Sequence, residues 1–328
     1  MAEGRAVETE GLERVFKGGI RAVDGVDLAV ERGEVFGFLG PNGAGKSTTV
    51  RMLATLLQPT GGRASVAGHD LVGDPAAVRR SIGVALQDAA IDPYMTGREL
   101  LHLQAVLHSF SRDAGRRRAV ELLARVDLEA AADRRVGTYS GGMRRRLDLA
   151  LALVHEPEVL FLDEPTTGLD PISRLTLWNE VRRLNGEGTT VFLTTQYLEE
   201  ADQLAGRVAI IDGGRIVAEG TPAQLKAQVG DPTLTVTLAD GSQAQAAEDA
   251  LRALGELLPC RTGTVALRLP AGAASLPAVV RALDDAGVAV AGLDLAEPTL
   301  DDVFVARTGR HLEAEGDDAT AAAAPAPA

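Results

Sequence analysis

The 328-residue sequence has little of three things that define other classes of protein: cysteine, long apolar runs and excess positive charge. Cys260 is the only cysteine, which excludes an internal disulfide and any zinc cluster built on paired thiolates. A near absence of cysteine is typical of proteins that work in a reducing cytosol. We interpret Cys260 as buried core filler.

No apolar run is long enough to cross a membrane. The longest stretches without Asp, Glu, Lys or Arg have 12 residues, at positions 100–111 and 269–280, whereas a spanning helix needs about 20. The first ten residues contain three glutamates and no apolar run, so no secretory signal is predicted. We therefore expect a cytoplasmic protein whose membrane contact, if any, is made through a partner.

Positive charge is in deficit. The formal net charge is −13, and binding to nucleic acid or to an anionic membrane surface needs clustered lysine and arginine. A nucleic-acid partner is therefore not expected. Two short basic runs, residues 116–118 and 144–146, are interpreted as solvated helix faces.

The apolar content of 45% is enough for one large domain or two unequal ones. Helical periodicity between residues 96 and 155 predicts a helical insertion, and residues 47–57 predict a helix. Short, nearly continuous apolar segments bounded by Gly, Pro or acidic residues predict strands covered on both faces of a sheet. These segments are residues 26–30, 35–39, 82–85, 159–162, 190–194 and 208–211.

A different pattern of predicted secondary structure begins after residues 230–232. Strand-like segments at 234–238, 265–269 and 288–295 alternate with Ala-rich helical stretches, which predicts a small α/β domain over residues 231–310. The first domain is expected to span residues 1–230. Residues 311–328 are acidic and then contain mainly Ala and Pro, which predicts a disordered tail.

The segment GPNGAGKST matches the phosphate loop G-x-x-x-x-G-K-[ST]. In such a loop successive backbone N–H groups wrap the phosphates, and the helix N-terminus adds about half a positive charge. Lys46 is expected to reach the β and γ phosphates of ATP, and Ser47 to bind Mg²⁺. An ordinary glycine-rich turn does not explain why Lys and Ser follow the last glycine. The residues predicted to bind ATP are Gly40, Pro41, Asn42, Gly43, Ala44, Gly45, Lys46, Ser47 and Thr48.

The apolar strand predicted at residues 159–162 ends in two carboxylates. Asp163 is expected to hold Mg²⁺ through water, and Glu164 to polarise the attacking water. Alone, this pattern also fits acidic residues that cap a turn. Together with the phosphate loop it predicts nucleotide hydrolysis.

The segment YSGGM, residues 139–143, resembles the LSGGQ signature of ABC transporter ATPases. The resemblance covers most of residues 1–230 and implies an α/β fold, the P-loop ABC cassette, with a mixed sheet core and a helical subdomain at about residues 88–156. It also implies that Ser140, Gly141 and Gly142 bind the γ-phosphate held by the opposite subunit of a head-to-tail homodimer. Tyr139 and Met143 depart from the signature only at its flanking positions.

Further positions take their roles from the same resemblance. Gln87 is expected to contact Mg²⁺ and the attacking water, Asp170 to organise the dimer interface, and Phe16 to stack on adenine. Gln196 stands where the family usually has a histidine. Its amide can donate an N–H to the γ-phosphate but carries no proton or positive charge, so we expect slow hydrolysis.

Two longer segments, TTQYLEEADQLA and EPTLDDVFVARTGR, look like the daunorubicin/doxorubicin-resistance branch of ABC exporters. This resemblance implies a peripheral ATPase subunit at the cytoplasmic face of the cell membrane. It also implies a separately encoded integral membrane permease and export of a hydrophobic drug or antibiotic. Two alternatives stay open: a soluble ABC ATPase of translation or DNA repair, and a non-catalytic, nucleotide-gated regulator with the same fold.

Overall fold

The computed structural model describes residues 4–86, 91–260 and 263–310. These residues form two compact units, and the chain passes from one to the other between Pro222 and Ala223. The boundary expected at residue 230 thus lies inside the second unit. The tail predicted at residues 311–328 lies outside the described residues.

The first unit contains ten strands and seven α-helices within the described residues. The strands are β1 (Arg5–Val15), β2 (Arg21–Glu31), β3 (Val35–Leu39), β4 (Gly61–Val66), β5 (His69–Asp70), β6 (Ile82–Ala85), β7 (Val159–Asp163), β8 (Thr190–Thr195), β9 (Arg207–Asp212) and β10 (Arg215–Gly220). The helices are α1 (Lys46–Leu53), α2 (Pro75–Ser81), α3 (Gly97–Leu107), α4 (Arg112–Arg125), α5 (Gly141–Ala152), α6 (Pro171–Gly186) and α7 (Leu198–Leu204). Helix α8 (Pro222–Ala227) begins at the boundary.

The core of the first unit is a six-stranded sheet with the order β10-β9-β3-β8-β7-β6. Five of its strands are parallel, and β10 runs antiparallel to β9 at one edge. Every residue of β3, β7 and β8 is buried, because helices and the second sheet cover both faces. The predicted mixed α/β sheet is confirmed.

The register of the parallel strands places their carboxyl ends along one edge of this sheet. Leu39, the last residue of β3, lies beside Thr195 of β8. Asp163, the last residue of β7, lies beside Thr194. The segments that leave these strands therefore start side by side, at the edge where open α/β sheets bind ligands.

Aromatic rings from three neighbouring strands fix this register. The ring of Phe192 lies 5.5 Å from Phe36, 5.6 Å from Phe38 and 5.5 Å from Phe161, between centroids, in tilted arrangements. All four are fully buried. Tilted aromatic pairs contribute about 0.5–1.5 kcal/mol each beyond the area that they bury.

A second, antiparallel sheet has the order β2-β1-β4-β5. The sequence did not predict β1, because its apolar residues alternate with charged ones and only one face is buried. The helix predicted at 47–57 is shorter than expected. It ends at Leu53, and Thr55 has a left-handed φ of 62°, which does not continue an α-helix.

The predicted helical insertion consists of α3, α4 and α5 between β6 and β7. Side chains cap the start of each helix. Thr96 and Glu99 form a reciprocal capping box on α3, Ser111 accepts from a backbone N–H of α4, and Ser140 does the same on α5.

In the basic run 116–118, Arg116 and Arg117 are exposed as the sequence predicted, but Arg118 is not. Arg118 is buried, and its guanidinium donates to Leu153 O at 2.8 Å and Val154 O at 3.2 Å. It also pairs with Glu121 at 2.8 Å and Glu156 at 3.3 Å. Arg118 therefore satisfies carbonyls left open at the C-terminus of α5.

The second unit contains a four-stranded antiparallel sheet, whose strands lie in the order β12 (Glu256–Leu258), β13 (Thr264–Arg268), β11 (Thr233–Leu238) and β14 (Val290–Ala296). Alternate residues Leu234, Val236 and Leu238 face a core shared with two of its helices. Its elements are β11 (Thr233–Leu238), α9 (Ala244–Leu251), β12 (Glu256–Leu258), β13 (Thr264–Arg268), α10 (Leu276–Asp285), β14 (Val290–Ala296) and α11 (Leu300–Thr308).

The interpretation of Cys260 as core filler is wrong. The residue is exposed and follows the short strand β12, and its thiol donates to Thr264 O at 2.8 Å. Among the described residues, no helix combines the length and apolar character needed to span a bilayer.

We predict that Arg118→Met lowers the free energy of unfolding by about 2–3 kcal/mol, because two buried carbonyls lose a charged donor. Guanidine denaturation followed by circular dichroism measures the loss. Arg117→Met is the matched control: its exposed side chain lies next to Arg118 on the same helix, so its effect should stay within about 0.5 kcal/mol. Equal stability of the two variants would contradict this role of Arg118.

Candidate functional site

Two positions in the loop between β3 and α1 lie so close to the backbone of other segments that only glycine fits there. A Cβ on Gly40 would lie 2.3 Å from Ile211 O, and one on Gly45 would lie 2.3 Å from Ala22 O. Gly45 also has φ of 109°, and Gly43 has φ of 79°. Both values belong to the region that favours glycine. The loop thus presents backbone N–H groups at the N-terminus of α1.

Lys46, the first residue of α1, is almost completely buried within this loop. Its ammonium donates to Gly40 O at 2.7 Å and Pro41 O at 3.1 Å. It also lies 3.2 Å from Glu164 Oε1. A cavity of about 200 Å³ lies against this loop and is lined by Lys46, Ser47, Glu164 and loop residues.

Ser47 and Asp163 meet at the carboxyl end of β7. The hydroxyl of Ser47 donates to Asp163 Oδ1 at 3.1 Å, and Thr194 Oγ1 donates to the same oxygen at 2.5 Å. The other oxygen, Oδ2, is buried and has no hydrogen-bond partner among the described residues. A hydroxyl beside an unpartnered carboxylate oxygen suits a hard divalent cation.

Glu164 follows β7 in a strained backbone conformation. Its φ is 47°, in the left-handed region that costs a non-glycine residue about 1–2 kcal/mol. The backbone N–H donates to both Thr194 O and Thr194 Oγ1 at 3.1 Å. The side chain is buried and directed at Lys46. Thr194 therefore holds both acidic residues, and the sequence-based interpretation missed it.

The signature residues lie at the start of α5. Ser140 is the N-cap, and its Oγ accepts from Met143 N at 3.2 Å. Ser140 and Gly141 are exposed, which leaves the N–H groups of the first turn accessible. No hydrogen bond or ion pair between described residues joins positions 140–142 to the phosphate loop of the same chain.

Asp170 lies beside the signature. It caps α6 and accepts from Ser173 N at 2.9 Å and Ser173 Oγ at 2.6 Å, and these bonds lower the pKa of Asp170 below its ordinary value. A Cβ on Gly142 would lie 2.6 Å from Ser173 Oγ. The first turns of α5 and α6 therefore lie in close contact, and a larger residue at position 142 would require the Ser173 hydroxyl to move.

Gln196 follows β8 at the same sheet edge. The residue is 9% exposed, and none of the side-chain hydrogen bonds between described residues involves it. The helix that follows, α7, is attached to α6 by a bond from Trp178 Nε1 to Glu200 Oε1 of 3.1 Å. Burial raises the pKa of Glu200.

Gln87 lies outside the described residues.

Phe16 lies after β1, with its side chain partly exposed. The guanidinium carbon of Arg14 is 4.8 Å from the ring centroid, a cation–π distance. The arginine covers part of the ring and leaves the rest of its surface exposed. The glycines that follow, Gly18 and Gly19, both have positive φ and turn the chain into β2.

Arg145 is a second residue that the sequence-based interpretation missed. The run 144–146 was expected to be a solvated helix face, but Arg145 is only 10% exposed. It donates to Asp163 O at 2.6 Å, Pro165 O at 3.0 Å and Leu86 O. Neither its position after the signature nor its basic neighbours in the sequence indicate that the side chain of Arg145 points inward.

Asp148 lies 3.3 Å from the Arg145 guanidinium. Burial raises the pKa of Asp148 to about 6, and the charge of Arg145 works against that rise. Burial also lowers the pKa of Arg145, against the opposing pull of nearby carboxylates. A buried ion pair thus lies directly beneath the catalytic candidates.

Comparison with family models matches residues 23–167 to the ABC transporter family and residues 220–308 to the C-terminal domain of DrrA1-3-like ATP-binding proteins. The chain is 28% identical to a solved ATP-binding subunit of an ABC transporter, with a TM-score of 0.63. That match covers 68% of this chain and 92% of the other. A dimeric ATP-binding cassette in a post-hydrolysis state with ADP and Pi is 27% identical, with a TM-score of 0.62, and the match covers 66% of this chain and 98% of the other.

Known relatives match nearly the whole chain. The daunorubicin resistance ATP-binding protein DrrA3 of Streptomyces coeruleorubidus is 49% identical over 304 residues, which is 93% of this chain and 96% of the relative. The daunorubicin/doxorubicin resistance ATP-binding protein DrrA of Streptomyces peucetius is 50% identical over 308 residues, which is 93% of each chain. The linearmycin resistance ATP-binding protein LnrL of Bacillus subtilis is 34% identical over 310 residues, which is 93% of this chain and 99% of the relative.

Since the phosphate loop, the paired carboxylates and the signature helix occur in a chain that matches these relatives along 93% of its length, it belongs to the ABC transporter ATPases, in the branch of the daunorubicin/doxorubicin resistance ATP-binding proteins.

Proposed function

We propose that this ATPase drives the export of a hydrophobic drug or antibiotic through a separate integral membrane permease. The observation that carries the proposal is the convergence of Lys46, Ser47, Asp163 and Glu164 at one edge of the sheet. The cargo is inferred from relatives named for resistance to daunorubicin, doxorubicin and linearmycin. Similarity along the whole chain favours this function over a soluble ABC ATPase or a nucleotide-gated regulator.

ATP binds with its phosphates in the loop of residues 40–48. Backbone N–H groups and the N-terminus of α1 surround the phosphate oxygens. The ammonium of Lys46, which loop carbonyls hold in place, meets the β and γ phosphates. Phe16 stacks on the adenine with the ring surface that Arg14 leaves exposed.

Ser47 Oγ and the buried, unpartnered Oδ2 of Asp163 are the groups that would hold Mg²⁺, directly or through water. When bound, the ion neutralises charge on the β and γ phosphates. Gln87 is proposed as a further ligand from its place after β6.

Glu164 orients and polarises the attacking water. In-line attack on the γ-phosphorus forms a bond to the water oxygen and breaks the bond to the bridging oxygen of ADP. The carboxylate is already fixed, because Thr194 holds its backbone and Lys46 lies beside its oxygen. Preorganised groups of this kind need no rearrangement when charge develops in the transition state. Gln196, at the same edge, donates an amide N–H to the γ-phosphate.

The active form is a head-to-tail homodimer in which Ser140, Gly141 and Gly142 complete the partner's nucleotide site. Two observations support this arrangement. Ser140 and Gly141, at the start of α5, are exposed, and none of the hydrogen bonds between described residues joins them to the phosphate loop of their own chain. The related solved cassette is a dimer. Asp170, beside the signature, lies at the same interface, and the dimer attaches peripherally to the cytoplasmic face of the membrane through the permease.

We predict that Glu164→Gln still binds ATP and accumulates as a dimer, while its steady-state phosphate release falls at least about 100-fold, because the amide cannot act as a general base. Phosphate release, nucleotide binding and size-exclusion chromatography with ATP measure the three effects. Glu129→Gln, at an exposed position in the same unit, is the control and should keep the wild-type rate. Wild-type turnover in Glu164→Gln would refute the assignment.

We predict that Gln196→His keeps ATP binding and maintains or raises turnover by up to about tenfold, since an imidazolium adds positive charge near the γ-phosphate. Gln196→Ala should lower turnover while leaving ATP binding intact. Both are checked by phosphate release and by binding of a fluorescent nucleotide. Loss of binding and turnover together in Gln196→His would mean that the switch position is misplaced.

The transport function predicts ATP-dependent movement of doxorubicin in vesicles that contain this chain and its permease. In inverted vesicles the drug should accumulate in the lumen, since export from the cell corresponds to inward movement there. Vesicles with Glu164→Gln should accumulate none above the level without ATP. ATP hydrolysis without any drug movement would support the soluble ATPase instead, and ATP binding without hydrolysis would support the regulator.

A further inference from the structure

Three consecutive arginines follow the signature, and each has a different environment. The side chain of Arg144 is exposed. Arg146 donates to Val126 O at 2.7 Å and Asp127 O at 3.0 Å, within the helical insertion. Arg145 alone turns toward the catalytic strand. The difference follows from the 100° step between helix residues, which sends three neighbours in three directions.

Two of the residues that Arg145 contacts are the sequence neighbours of the proposed catalytic residue, Glu164. Its guanidinium binds the carbonyl of Asp163 on one side of Glu164 and the carbonyl of Pro165 on the other. A further N–H group binds Leu86 O, the last described residue before the segment that contains Gln87. One side chain thus holds the backbone of two strand ends of the catalytic edge.

The other end of the same helix is the signature. Ser140 caps α5, and Arg145 lies in its second turn. An α-helix is a rigid element over such a distance, so a force on its first turn displaces Arg145 as well. In the proposed dimer the first turn of α5 contacts the nucleotide held by the partner, whereas Arg145 contacts the strand end that carries its own subunit's Glu164.

Several buried carboxylates surround the guanidinium of Arg145. Asp148, one turn later on α5, lies 3.3 Å away, and the carboxylates of Asp163, Glu164 and Glu200 also attract the guanidinium. A buried cation that is surrounded by carboxylates and bound to three carbonyls has little freedom to move independently of its helix. A displacement of α5 therefore moves the guanidinium of Arg145 with the helix, and with it the carbonyls that the guanidinium binds.

We infer that Arg145 is a positioning residue that couples the two nucleotide sites of the dimer. Nucleotide bound in the partner's phosphate loop engages α5, and Arg145 then holds Asp163, Glu164 and Pro165 in the hydrolytic arrangement in the other site. This inference rests on the proposed homodimer function. In this inference the side chain of Arg145 links the signature of a subunit to Glu164 of the same subunit.

Steady-state kinetics of Arg145→Met and Arg145→Lys give the first test. We expect kcat to fall about 10- to 100-fold while KM for ATP changes less than about threefold, because the phosphate loop is untouched and only the position of Glu164 is disturbed. Lysine should rescue little, since one ammonium cannot reach three carbonyls in different directions. Arg117→Met, which removes an exposed arginine from α4 of the same unit, should retain the wild-type kcat. Unchanged kcat in both Arg145 variants would overturn the inference.

Mixed dimers separate coupling from a merely structural role. A reporter subunit is paired, through two affinity tags, with a partner that carries either Glu164→Gln or Lys46→Ala. The first partner holds ATP against the signature of the reporter without hydrolysing it, and the second leaves that site empty. Turnover by the reporter is then measured with each partner.

With Arg145 present in the reporter, we expect turnover to be at least about tenfold higher opposite Glu164→Gln than opposite Lys46→Ala. With Arg145→Met in the reporter, the ratio should approach one. A ratio that stays at the wild-type value overturns the inference alone. Absence of ATPase activity in the wild-type homodimer would instead overturn the proposed function, and this inference with it.

Discussion

The hydroxyl of Thr194 is the contact on which the candidate site depends. It donates to Asp163 Oδ1 at 2.5 Å and accepts from Glu164 N at 3.1 Å. A single side chain on β8 thereby fixes the orientation of the metal-binding candidate and the backbone of the catalytic candidate on β7. It reaches both only because the parallel register places Thr194 beside Asp163. The tilted phenylalanine rings beneath the sheet hold that register.

Charge at this edge is arranged in two layers. Above the strand ends, Lys46 lies 3.2 Å from Glu164 and faces the nucleotide loop. Below them, Arg145 binds backbone carbonyls and pairs with Asp148. Asp163 and Glu164 therefore lie between two buried cations: Lys46, which is proposed to bind the phosphates of ATP, and Arg145, which contacts only protein. Fixed charges of this kind stabilise a developing negative charge without rearrangement.

The sequence was sufficient where local chemistry dictates structure. Gly40 and Gly45 could be predicted because a phosphate loop needs close backbone approach, and the buried strands because both of their faces are covered. The sequence was insufficient where a side chain donates hydrogen bonds to backbone carbonyls that are far away along the chain. Arg118 and Arg145 look like surface charges, and only the tertiary structure supplies the carbonyls that they bind. Strand β1 was missed because one-sided burial breaks the continuous apolar pattern.

The bond between Trp178 and Glu200 gives the molecule a built-in optical probe. The chain has one tryptophan, and its indole N–H is bonded to the helix that begins two residues after Gln196. The emission of a buried indole changes when its hydrogen bond and local polarity change. Intrinsic fluorescence of the unlabelled protein therefore monitors the segment that begins at Gln196, with no competing signal from a second tryptophan.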